Sequence, residues 1–191
     1  MEEETETTDT TLTINEQIRH LRPCMEAREW LHKQKDWQEA WDTCPRGDWL
    51  LWLHSRLNPG MPRGDEWHKV YVRIACEAAR SVLGSVPAGE LRPLAAIELA
   101  ERFAAGDDVS ESDLRAAAAG AADAAAAYAA DAHAAGGAAY AAGGAYVAAA
   151  AAAGDAYVAG VAYVADSAAA AAANAAIVRK HIPIAPTVGG E

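Results

Sequence analysis

The sequence predicts an all-α protein: a tryptophan-rich helical bundle followed by long alanine-rich helices packed as a hairpin. Three observations carry this expectation. No stretch shows the strict apolar–polar alternation of a strand. Five Trp residues fall between positions 30 and 52, on segments with helical spacing. Residues 116–176 hold 38 Ala among 61 positions and neither Lys nor Arg. Ala is the strongest helix former, about 1 kcal/mol per residue better than Gly.

The elements follow in order. Residues 1–11 carry five acids, no base and no apolar side chain after Met1, so residues 1–12 read as a disordered acidic tail. A helix begins near Thr13 and ends before Pro23, which suits the first turn of the next helix. In that next helix Ala27, Trp30 and Leu31 share a face. Trp37, Ala40, Trp41 and Cys44 stand at i, i+3, i+4, i+7 in a short third helix, which the run Pro45 to Gly47 breaks. Asp48 is placed to cap the fourth helix, whose apolar run from Trp49 to Leu53 marks it as central. A turn-rich loop over 58–65 leads to a helix over 66–84 with Val70, Ile74, Ala78 and Val82 in register. A further helix opens at Pro93, turns Ala96, Ile97, Ala100 and Phe103 inward, and closes at Gly106. Ser110 and Asp113 fit a capping box for the first alanine-rich helix.

Within the alanine-rich block the glycine pairs 136–137 and 143–144 are the expected breaks. One unbroken helix over 111–181 would be about 105 Å long at 1.5 Å per residue, so two or three helices folded together are expected. The triplet Ala-Tyr-Val at 145–147 recurs at 156–158, and Asp155 and Asp166 share the same spacing of eleven residues, which keeps equivalent positions aligned on a nearly straight helix. The organisation expected is a tail over 1–12, a bundle core over 13–106, a helical extension over 107–183 packed on or beside that core, and a flexible tail over 184–191. Because Ala buries little area and the heavy apolar residues precede position 104, the main core is expected in the first part.

The net charge of −11 argues against phosphate backbones as partners. It makes a protein partner, basic by complementarity, the natural counterpart. Asp residues recurring through the alanine-rich block argue against a membrane span. Three cysteines, an odd number, fit no disulfide framework and suit a reducing cytoplasm. The polar, acidic N-terminus has no signal-peptide character.

Candidate chemistry is sparse. Cys24, Cys44 and Cys76 each lie on an apolar helix face, where small buried residues are expected. No Cys or His pair has structural-zinc spacing, and no phosphate-loop, dinucleotide or nucleophile-elbow pattern occurs. No catalytic residue, metal ligand or cofactor is therefore assigned. Trp residues each bury about 150–250 Å² and nucleate cores, yet they are also enriched in interface hot spots. Trp67, just after a loop, is the tryptophan expected to be exposed. Tyr140, Tyr146, Tyr157 and Tyr163, with Asp155 and Asp166, make a possible partner surface. The small residues of the block permit close helix approach and self-association.

The segments LRPCMEAREWL, WQEAWDTCPRGDWLLWL and RIACEAARSVL, with the Ala/Tyr/Asp-rich tail, resemble the Imm-five-like immunity-protein domain family of phage and actinobacterial proteins. The resemblance covers residues 16–183. Its markers here are Cys24, Glu26, Ala27, Trp30, Trp41, Cys44, Arg46, Gly47, Asp48, Trp49 and Trp52. It implies an immunity-like or phage accessory protein that binds and neutralises a protein partner without turnover. The competing class is a structural or ice-binding alanine-rich helical protein, for which the Thr row of one antifreeze class is missing from residues 116–176; the third is an enzyme with a pocket in the tryptophan-rich bundle, whose signature would be polar groups converging in one concavity.

Overall fold

A computed structural model describes residues 13–59, 62–130, 144–145, 147–152 and 168–186. The described residues form helices and no strand, an all-α fold. In order they are α1 (Ile14–Ile18), a 3-10 turn (Arg19–Leu21), α2 (Met25–Leu31), α3 (Trp37–Thr43), α4 (Gly47–Leu57), α5 (Glu66–Val82), α6 (Arg92–Ala105), α7 (Glu111–Ala130) and α8 (Ala168–His181). Residues 144–145 and 147–152 are also helical.

Local chemistry sets most helix ends. Thr13 and Glu16 close a full capping box at α1. Asp36 accepts from the Glu39 amide at 2.8 Å and starts α3. Asp65 accepts from the Trp67 amide and starts α5. Pro93 sits in the first turn of α6, and Gly106 ends it in the left-handed region at φ 100°. Ser110 accepts from the Asp113 amide at 3.0 Å, while the Asp113 carboxylate takes the Ser110 hydroxyl at 2.7 Å.

Three local expectations are corrected. Pro23 lies ahead of the Cys24 cap and outside α2, which starts at Met25. Asp48 does not cap α4; the cap position is Arg46, and the Asp48 carboxylate instead receives two bonds from the Arg46 guanidinium, a charge-assisted pair that outcompetes the helix amides. Cys24 is exposed, because a cap residue points its side chain out before the helix face begins, whereas Cys44 and Cys76 are buried as expected.

The core also extends beyond its expected limit. Leu114, Ala118 and Ala121 of α7, residues 145 and 147–152, and Ala175, Val178 and Ile182 join Trp41, Leu51, Ile74 and Ile97 in one buried cluster. Helix α7 packs on α6, and α8 packs on α4 and α5. The alanine-rich segments thus fill the bundle rather than trail from it. Ala contributes little area, but it lets backbones approach closely.

Long side chains tie backbone carbonyls of one segment to another. Arg63 Nε donates to the Ala152 carbonyl at 3.2 Å and the His68 ring meets the Ala151 carbonyl at 2.8 Å. Arg73 donates to the Ala104 carbonyl at the end of α6. Arg179 donates to the Trp41 and Cys44 carbonyls at the end of α3. Arg73 and Arg179 each supply a donor and a positive charge where a helix end needs both. A clasp of Glu77 with Lys180 and His181 fastens α8 to α5.

At the C-terminal end Ile182 is buried, Ile184 is exposed and the Ala185 amide donates to Gln38 at 3.4 Å; 187–191 lie outside the described residues. The acidic tail 1–12 and the glycines at 136, 137 and 143 also lie outside them, while Gly144 is helical.

Candidate functional site: a tryptophan-lined groove

Helices α2, α3 and α4 each turn tryptophan toward a common space. On α2, Ala27 and Leu31 are buried and Trp30 is half-buried. On α3, Trp41 is buried with Ala40, while Trp37 is half-buried. On α4, Trp49 and Trp52 are half-buried beside buried Leu50 and Leu53. Between them lies a partly open cavity of about 40 Å³, with Ile18 and Pro23 completing its wall. A water needs about 10–15 Å³ and two or more polar partners. The cavity has the room but not the partners, so it favours an apolar occupant.

The indole N–H groups divide into two sets. Trp37 donates to Gln17 Oε1 at 2.7 Å and Trp41 donates to the Ile182 carbonyl at 3.0 Å. Among the described residues no acceptor meets the indole N–H of Trp30, Trp49 or Trp52. These three are the half-buried rings at the mouth, with Trp30 and Trp49 6.3 Å apart between centroids.

The rim is charged and fixed. Arg46 stands 5.0 Å from the Trp49 ring centroid, a cation–π distance, and is locked by Asp48. The Asp48 carboxylate raises the Arg46 pKa, with Glu26 adding to the effect. Of the residues singled out in the sequence, Glu26, Trp30, Trp41, Cys44, Arg46, Asp48, Trp49 and Trp52 therefore meet here, with Cys24 beside Arg46. Tyr140, Tyr146, Asp155, Tyr157, Tyr163 and Asp166 lie outside the described residues. Sequence reasoning missed Ile18, Pro23 and the Gln17 acceptor; the apolar i, i+4 relation of Ile14 and Ile18 was the available signal.

Cys44 is the one titratable group in the lining. Burial pushes its thiol up to about 11, too high for a thiolate nucleophile at neutral pH. The groove can thus hold and orient an apolar group but presents no acid, base or nucleophile to it. Among the described residues no group of three or more His, Cys, Asp or Glu could hold a metal ion. No described helix is long and apolar enough to cross a membrane.

Fold and site together define an all-α chain with a tryptophan-lined apolar groove. No protein-family model, curated protein or solved structure was found to match it.

Proposed function

We propose that this chain is a non-enzymatic protein-binding module, of the immunity-like or phage accessory kind, and that the groove between α2, α3 and α4 seats an apolar side chain of its partner. The observation that carries the reading is the mouth itself: three half-buried indoles with no acceptor for their N–H groups among the described residues, around a cavity without polar lining. Such rings supply rigid contact area and a donor at the edge, the composition of interface hot spots. The absence of acid–base groups in the lining supports binding without turnover. The family resemblance of these same segments supports a partner that is neutralised by being held.

The test is capture of a stoichiometric partner by the wild-type chain, followed by calorimetric titration with Trp30→Ala and Trp49→Ala variants. A hot-spot truncation costs about 2 kcal/mol or more, roughly 30-fold in affinity. That loss in at least one variant, with unchanged helicity, is the expected result. A tight complex indifferent to both substitutions would overturn the reading.

A further inference from the structure

The chain has 16 Lys and Arg residues. Seven of them pair with carboxylates. Three donate to helix carbonyls. The remaining six have no hydrogen-bond or ion-pair partner for their side chains among the described residues. Five of those six, Arg19, Arg22, Arg28, Lys33 and Lys35, fall in one stretch of the chain, and all five are exposed. The sixth is Arg56 on α4.

The stretch runs from the end of α1 through the 3-10 turn and α2 to the start of α3, here termed the α1–α2 corner. Helices α1 and α2 pack together, and Asn15 donates to the Arg28 carbonyl at 3.3 Å. Residues 17–35 hold these five cations against two acids, Glu26 and Glu29, within a chain of net charge −11. On α2, Met25, Arg28, Glu29 and His32 share the outward face by i, i+3, i+4, i+7 spacing, and Met25 is 65% exposed. Arg22 is the one non-glycine residue with positive φ among those described, at 55°. Glycine or asparagine adopts that conformation more easily, so the turn keeps a cation where a smaller residue would fit better. Such an outlier is the kind of strain that marks functional surfaces.

We infer that this corner is a docking surface for an acidic protein segment that carries an apolar side chain, Met25 meeting the apolar group and the five cations its carboxylates. Apart from Arg56, the cations elsewhere are consumed internally; here five are left to an outside partner. The local sign is the reverse of what net charge suggests, so the partner contact at this corner is acidic rather than basic. A peptide is favoured over a nucleic acid because Met25, 65% exposed on the same helix as Arg28, offers an apolar contact that a phosphate backbone does not use. The surface uses residues outside the groove lining, so the two readings stand or fall separately.

The test is fluorescence anisotropy with the full-length chain and a labelled peptide, (Glu-Glu-Leu-Glu)3, beside a twelve-nucleotide oligothymidylate, at 50 and 200 mM salt. The wild type is expected to bind the peptide better than the oligonucleotide, and about tenfold more weakly at the higher salt. The triple variant Arg19→Gln, Arg28→Gln, Lys33→Gln is expected to lose about tenfold at low salt with unchanged thermal stability, because exposed, unpaired side chains contribute little to folding. Arg56→Gln should bind as the wild type does. Arg22→Gly should weaken binding without lowering thermal stability. No peptide binding at 50 mM salt, equal binding by the triple variant, or tighter binding of the oligonucleotide would overturn the inference. So would concentration-dependent self-association that the triple variant abolishes, since a second copy would then occupy the corner.

Discussion

Gly47, the first residue of α4, lies directly against the backbone of Asn174 in α8: a β-carbon built on Gly47 would stand 2.7 Å from the Asn174 carbonyl carbon and 2.8 Å from the Ala175 nitrogen. Neither neighbour is a flexible side-chain end, so the two helices must separate to admit a methyl group. Overpacking of this kind costs about 1–3 kcal/mol and occasionally more. Gly47→Ala should therefore destabilise the chain by about 2–3 kcal/mol in urea unfolding. Gly84→Ala, with nothing within 4 Å of the added carbon, should stay within about 0.5 kcal/mol of wild type.

Trp41 and Arg179 fasten the C-terminal part of the chain to α3 from both sides. Trp41 donates to the Ile182 carbonyl, and Arg179 donates back to the Trp41 and Cys44 carbonyls. Trp41→Phe keeps an aromatic ring but leaves the buried Ile182 carbonyl unpaired, at about 1–3 kcal/mol. Arg179→Met leaves two carbonyls at the end of α3 without their donor. Both variants should speed amide exchange over residues 182–186 more than over α6. Equal acceleration everywhere would show that the contacts act on global stability alone.

The three thiols should react as one and two. Cys24 is exposed; Cys44 and Cys76 are buried, with their thiols pushed up to about 11 and about 12 by desolvation. A thiol reagent at neutral pH should modify one cysteine rapidly in the native chain and all three after unfolding. Peptide mapping should place the fast adduct on Cys24.

Much of this fold is legible in the sequence because its signals are local. Thr13 with Glu16, Pro93 and Gly106 fix helix ends through contacts within four residues or one backbone dihedral. The spacing of Trp37, Ala40, Trp41 and Cys44 is the buried face of α3 itself. The missed relationships are long-range or competitive. Nothing near Gly47 announces that Asn174 will press on it, and nothing near Arg179 announces that its carbonyl acceptors lie in α3. Asp48 is a good capping residue in the right place, but Arg46 two positions earlier claims its carboxylate. The buried alanines of 147–152 were undervalued because area per residue says little about how closely Ala lets helices approach. The groove was half visible: its tryptophans stand out in the sequence, whereas the unmatched indole donors at its mouth emerge only from packing.

His54 gives the chain an acid-sensitive point. It is 2% exposed, hydrogen-bonded through Nδ1 to the Tyr71 hydroxyl at 2.7 Å, and flanked by the Trp67 ring at 4.5 Å. Burial lowers its pKa. The unfolded chain then takes up a proton at His54 at a pH where the folded chain does not, so this contribution is present above the ordinary histidine value of about 6.5 and is lost as pH falls below it. Unfolding free energy should decline from pH 7 toward pH 5.5, by at most about 1.4 kcal/mol per pH unit from one proton. His54→Gln should flatten that slope even if it lowers stability overall. An unchanged slope would mean that another group sets it.

The six indole N–H resonances offer the most direct test of the groove as the partner's seat. They can be assigned by single Trp→Phe substitutions and followed as the captured partner is titrated in. Trp30, Trp49 and Trp52 are predicted to shift and become protected from exchange as their N–H groups gain acceptors, while Trp67, beside His54 and outside the groove lining, keeps its free-state signal. A saturated complex in which those three remain unchanged would contradict that role for the groove, whether Trp67 moves or not.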